Sequence, residues 1–322
     1  MSVSNQRSDG LIILYGLDGS NPLAFLAALG TLRTLTLAWP DRKVRMAWEQ
    51  HAGAWRPVLW ASRSLNEGEL IQALYEHLKT MKGHLALRLG DDLSVSPDSF
   101  RCHAEKCVDA ADGCSRNKAM IAVDFAAAFA CDALANEQGR VQDTALRTMS
   151  GAGHQHFLKS MRWIVEQTSR EHLRKTLFER WTYDDPVKSQ TLRWDPADDS
   201  RYALQWRDPS GDPLRNQRGG MLGANRLAIE GLPLIVCVPV GKYLRTTGFV
   251  GIGSRDTFWA WPIWSCSLSL DICRSILAQL SPFNEAPRNN ARFREMGIIA
   301  AFQSQRITVG KFRNFTPATA LF

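Results

Sequence analysis

"NPLAFLAALGTLRTL", Asn21 to Leu35, reads as a helix packed against a strand, with small residues on one face. Leu23, Leu26, Ala27 and Gly30 recur at helical spacing, so that face is thin enough for close packing. The start is marked. Ser20 or Asn21 can cap the helix, and Pro22 falls where the first turn tolerates a missing N–H. The helix should run to about Trp39 and stop before Pro40. A second run, "GANRLAIEGLPLIVCVP" from Gly223 to Pro239, repeats the plan: a short helix, then the buried strand "PLIVCVPV". Neither run contains an evident catalytic group. The strongest signals in this chain concern packing.

Working outward, "LIILYGL" (11–17) is a buried strand, "KVRMAWEQ" (43–50) alternates like a strand, and "AWRPVLWA" (54–61) is a strand whose proline points to an edge or a bulge. "LNEGELIQALYEHLKTMKG" (65–83) is an amphipathic helix. Residues around 90–118 carry turn formers, charge and three cysteines and read as a loop-rich insertion. "AMIAVDFAAAFACDALA" (119–135) is a mostly buried helix, "QDTALRTMSGAG" (142–153) a strand and a glycine turn, and 154–181 is helical with a break near Ser169. "SQTLRWDPADDSRYALQWRDPSGDP" (189–213) reads as two strands around an acidic turn. "LRTTGFVGIGS" and "TFWAWPIWS" are antiparallel strands, "LSLDICRSILAQL" is a helix, and "GIIAAFQSQRITVGKFRNF" ends the chain in strands. The pattern predicts an α+β fold, with mixed, mostly antiparallel sheets and packed helices. A change of character near Tyr183 divides an N-terminal region, 1–183, from a C-terminal one, 184–322.

Bulk properties narrow the function. Of 322 residues, 45% are hydrophobic, enough for a sizeable core. No run approaches the roughly 18 apolar residues of a membrane span. The polar start "MSVSNQRSDG" has no charged-then-apolar signal pattern, so a cytoplasmic protein with no membrane partner is expected. Seven cysteines, an odd count, then read as reduced thiols, with Cys237, Cys266 and Cys273 as small core hydrophobes. The net charge of +7 favours anionic partners. Much of the excess sits at the end of the chain, where Arg292, Arg294, Arg306, Lys311 and Arg313 form the first candidate nucleic-acid surface. The plainer reading of those residues is a solvated face.

Several groups could carry chemistry, each with a structural alternative. Cys102, His103, Cys107 and Cys114 lie within thirteen residues and could hold a structural zinc, with Cys131 as a further ligand, although zinc modules favour closely spaced ligand pairs at two ends of a loop. Otherwise they are free thiols. His154 and His156 sit near a helix start, and Asp195, Asp198 and Asp199 cluster in "WDPADDSRY". Together these could surround a divalent ion in a nuclease or hydrolase. Aspartates also cap turns. "GFVGIGS" resembles a phosphate-cradling glycine loop, but a strand-like segment follows it rather than a helix, so a hairpin is expected. "VPVGKYL" lacks the rest of an NTPase loop, and no G-x-S-x-G occurs. Eleven tryptophans, several beside an arginine, suit base stacking or an exposed protein-binding patch. They equally suit a core covered by arginine stems.

Four segments occur in a suggestive order: "GLDGSNPLAFLAALGTLRTL" with a tryptophan-bearing strand after it, "RWDPADDSRYALQWRDPS", "GANRLAIEGLPLIVCVP" and "TFWAWPIWSCSLSLDICRSIL". Together they resemble CRISPR-associated proteins of the type I-G (formerly I-U) systems, in particular the small proteins that stand beside or replace part of the effector's large subunit, or extend its helicase-nuclease. The resemblance covers the first forty residues and most of 184–280, not the middle. It implies a non-catalytic nucleic-acid-binding or scaffold subunit. Its partners would be effector subunits and guide RNA or target DNA. It assigns no reading residue, because no matched motif carries one.

Overall fold

Helix α1 (Pro22–Ala38) is buried at every residue from Pro22 to Leu35, and a helix apolar on all sides needs cover on all sides. The cover comes from both halves of the chain. The computed structural model describes residues 10–112, 116–149, 156–187, 190–198, 219–251, 257–279, 286–309 and 312–322. Around α1 the elements run in the order β1 (Leu11–Ile13), β2 (Arg45–His51), β3 (Ala54–Trp60), α2 (Glu67–Lys79), α3 (Pro97–Asp112), α4 (Arg116–Phe129), β4 (Ala130–Ala135), β5 (Val141–Asp143), α5 (Phe157–Gln167), α6 (Arg170–Phe178) and α7 (Leu222–Gly231). Then follow β6 (Cys237–Val240), β7 (Tyr243–Thr246), β8 (Phe249–Val250), β9 (Phe258–Trp264), β10 (Leu268–Ser269), α8 (Leu270–Ala278), α9 (Ala286–Glu295), β11 (Ile298–Val309), β12 (Phe312–Phe315) and β13 (Thr319–Ala320).

The architecture is α+β. One antiparallel sheet has the order β1-β3-β2-β10, a second has β12-β11-β9-β8 with β13 also on β11, and β4–β5 and β6–β7 are separate hairpins. β10 pairs with β2, and α7 packs along α1. Among the described residues one hydrophobic cluster takes in side chains from both sides of Tyr183.

The two opening runs of sequence meet each other. A Cβ on Gly30 would stand 1.8 Å from the Leu227 carbonyl oxygen, and one on Gly231 would stand 2.5 Å from that of Leu26. The backbones touch where both side chains are missing, which is the use of the small residues. On the sheet side, the Phe25 ring lies 5.8 Å from those of Trp48 and Trp261 and 6.3 Å from that of Trp264. The indole N–H of Trp261 donates to Gly19 O (2.8 Å) and that of Trp264 to Met46 O (2.9 Å). The rings of Trp261 and Trp264 are thus buried with their polar atoms satisfied.

The helix pair also buries charge. Glu230 accepts from Arg33 (2.8 Å) and Arg226 (2.9 Å), all three 1% exposed. Arg226 also donates to Leu78 O (3.0 Å), and Arg33 reaches Asp124 at 3.4 Å. Burial pushes the Glu230 carboxyl up, but the two guanidiniums outweigh it and hold it below its ordinary range.

Several expectations are corrected. "PLIVCVPV" is no buried strand, since Leu232–Leu234 is a 3-10 turn and β6 is exposed over Val238–Val240. The helix expected at 119–135 ends at Phe129, with Ala130–Ala135 forming β4. The stretch around 90–118 is largely helical, with α3 starting at Pro97 and the Ser96 hydroxyl capping Ser99 N–H (3.2 Å). Ser-Pro-Asp was a helix start, and the polar composition belongs to an amphipathic helix. Of the two strands expected over 189–213, the described part, 190–198, forms no strand and ends in a short 3-10 turn at Pro196–Asp198, and 199–213 lies outside the described residues. β3 is an inner strand despite Pro57, which is opposite Trp48. The Pro57 carbonyl accepts from Leu14 N–H (2.9 Å), so its missing donor faces the side where β1 has already ended.

Candidate functional site

Arg306 lies on β11 and Arg313 on β12. The pairing Thr308↔Arg313 sets Arg306 two residues from Arg313's partner, so the two are diagonal neighbours on one sheet face. Both reach the loop after β5. Arg306 Nη1 donates to Ala145 O (2.7 Å) and Arg313 Nη1 to Arg147 O (3.3 Å). One nitrogen of each guanidinium is thereby fixed on a main-chain oxygen. Among the described residues neither forms an ion pair with a carboxylate.

These arginines line a cleft of about 710 Å³ together with Asp143, Arg147, Tyr243, Arg245 and Phe249. Arg147 is neutralised locally, with Nη1 3.0 Å from Asp92 and Nε 3.1 Å from Asp143. Arg245, Arg306 and Arg313 have no such partner among the described residues. Burial lowers Arg306 to about 10, with the positive charge of Arg313 adding to the effect, and burial lowers Arg313 as well. Both remain cations at neutral pH. Burial also raises the Asp143 carboxyl, against the pull of Arg147 and Arg313. Two like charges held side by side in a partly dry cleft repel each other, and an anion placed between them relieves that repulsion.

Two aromatic residues, Tyr243 and Phe249, line the cleft among mostly polar neighbours. Phe249 stacks on Trp259 at 5.8 Å with planes 7° apart. Tyr243 closes the β6–β7 hairpin opposite Val240. The hairpin is tied to β5 by Gln142, which donates to Lys242 O (3.0 Å) and accepts from Leu244 N–H (2.8 Å).

Of the five basic residues named from sequence, Arg306 and Arg313 come together here. Arg292 and Arg294 are exposed on α9 and do not line the cleft. Lys311 is outside the described residues. Arg147, Arg245 and Tyr243 were missed. Nothing local marks them, because long-range contacts recruit them: Arg313 to Arg147 O spans 166 positions, and the bonds of Gln142 to Lys242 O and Leu244 N–H span 100 and 102.

The other candidates are placed as follows. On α3, His103 and Cys107 share a buried face, with Sγ 3.6 Å from Nε2, while Cys102 is exposed. Burial pushes the Cys107 thiol up to about 11 and lowers His103. Cys114 is outside the described residues, and Cys131 is half-buried on β4. Asp195 is 3% exposed. It accepts from Asn21 Nδ2 (3.2 Å), Ala197 N–H (2.9 Å) and the Tyr183 hydroxyl (3.0 Å), so it braces the N-terminal cap of α1. Asp198 is buried in the same turn, His156 precedes α5, and His154 and Asp199 are outside the described residues. Among the described residues no three His, Cys, Asp or Glu side chains are grouped as metal ligands would be. No described tryptophan is exposed, and no described helix is long and apolar enough to cross a membrane. Comparison of the chain with models of protein families and with curated proteins finds no match.

Proposed function

We propose that this protein is a non-catalytic nucleic-acid-binding or scaffold subunit of a CRISPR-type antiviral effector in the cytoplasm, and that the arginine cleft is its contact with nucleic acid. The observation that carries the binding part is the convergence of Arg245, Arg306 and Arg313, without ion-paired carboxylates among the described residues, on one cleft that Tyr243 and Phe249 also line. Fixed guanidiniums suit phosphate, and aromatic faces suit bases. The effector part is supported by the resemblance of the four sequence segments to type I-G proteins. Guide RNA or target DNA would be the ligand and other effector subunits the protein partners.

The test is affinity purification of the tagged chain from its native host, with half the lysate treated with nuclease. Effector subunits retained in both halves support a protein-held subunit. Subunits lost on nuclease treatment support attachment through the nucleic acid. Absence of both subunits and nucleic acid from the two halves would reject the reading.

A further inference from the structure

We infer that the cleft takes a single strand of nucleic acid, with phosphates on Arg306 and Arg313 and a base stacked on Tyr243. This rests on the nucleic-acid reading above and adds the form of the ligand. Tyr243 is 40% exposed although it is a large aromatic residue, and it borders the same cleft as the two guanidiniums. Its mounting is tied at several points. Gly241, at φ +60°, permits the tight turn that brings Tyr243 opposite Val240. Gln142 fixes the residues on either side of the ring, and Thr246 Oγ1 accepts from Ala145 N–H (2.8 Å), joining the hairpin to the loop that holds the arginines. Lys242 Nζ lies 5.3 Å from the ring centroid, so a cation already accompanies this aromatic face.

A duplex cannot use that arrangement. Its bases are stacked on one another, so it offers phosphates and groove edges, and an exposed ring gains little from either. A single strand offers base faces beside its phosphates. Size agrees. A cleft of about 710 Å³ is on the scale of sites that enclose one drug-sized molecule, room for about two nucleotides. The lining agrees too. Val240, Leu244 and Phe249 would add nothing to a site for backbone phosphate alone, but they suit the apolar faces of unstacked bases.

The experiment is fluorescence anisotropy with the full chain, using a labelled mixed-sequence oligonucleotide as single-stranded DNA, as single-stranded RNA and annealed to its complement. Tyr243→Ala and Arg245→Gln change exposed positions that leave the core intact, and Arg313→Gln tests the deeper cation; circular dichroism checks each fold. The expected result is that one or both single strands bind more tightly than duplex. Tyr243→Ala should then weaken the single strand about tenfold and leave duplex binding unchanged. Equal binding of duplex and single strand, lost in Arg313→Gln but not in Tyr243→Ala, would overturn the single-strand inference and keep the nucleic-acid reading. Binding of none of the three would overturn both. Displacement of the oligonucleotide by inorganic polyphosphate at equal phosphate concentration would also overturn the stacking, since polyphosphate has no bases.

Discussion

Glu230 shows how much one residue can hold in this molecule. It is 1% exposed and is the shared counter-ion of Arg33 and Arg226. Replacing a buried ion group with apolar residues can be neutral, but removing one partner strands the others. Glu230→Gln keeps the shape and removes the charge, so two guanidiniums remain with only half-exposed Asp124 near Arg33. The expected cost is about 3–5 kcal/mol, read as a lower denaturant midpoint at unchanged slope. The sign of the pH effect follows from the lowered carboxyl affinity for protons. Such a group contributes stability that is complete above its unfolded value, near 4.5, and lost as pH falls through the folded one. The gap between wild type and Glu230→Gln should therefore be constant from pH 5 to 7 and close below about pH 4.5. A gap that widens in acid would assign the stabilisation to another group.

At the level of elements, the contact of α1 with α7 depends on glycine as much as on leucine. A methyl at Gly30 meets a main-chain oxygen, which cannot rotate away as a side-chain tip could. Gly30→Ala should cost about 3 kcal/mol, although alanine is the better helix former by about 1 kcal/mol. Gly68 in α2 is the control. It is exposed and its nearest neighbour is the Asn66 side chain at 3.6 Å, so Gly68→Ala should stabilise by about 0.5 kcal/mol. Thermal melts of both variants check the pair, and equal effects would mean the helices are not in backbone contact. This contact was legible as a pattern: the small residues at helical spacing announced close packing, and α8, β9 and β11 were also readable from apolar periodicity. What could not be read was the partner. Nothing in "NPLAFLAALG" names Leu227, and β10 pairs with β2 across more than 200 positions. The polar face of α3 carries the composition of a loop, and only the Ser96-Pro97-Asp98 start marks it as a helix. The cleft was half legible. Clustering in sequence exposed Arg306 and Arg313, whereas Arg147, Arg245 and Tyr243 join only through the register of β11 with β12 and the docking of one hairpin.

For the whole molecule, the question is whether its charge acts diffusely or at one place. A net charge of +7 attracts any polyanion from a distance, and that attraction fades beyond a Debye length of about 8 Å at physiological salt. Specific phosphate contacts leave a different trace, because each releases counter-ions and sets the slope of affinity against salt. Three cleft cations, Arg245, Arg306 and Arg313, on a single strand predict a slope of log affinity on log salt of about −2. Between 50 and 200 mM salt that is a loss of about fifteenfold. Arg313→Gln should flatten the slope by about 0.7, whereas Arg292→Gln on exposed α9 should leave it unchanged. The buried ions of the core are little screened, so the fold should persist over the same range and the titration should report binding alone. Anisotropy at four salt concentrations measures all three slopes. A slope steeper than about −5 for wild type, lowered equally by Arg292→Gln and Arg313→Gln, would move the interface from the cleft to the general basic surface.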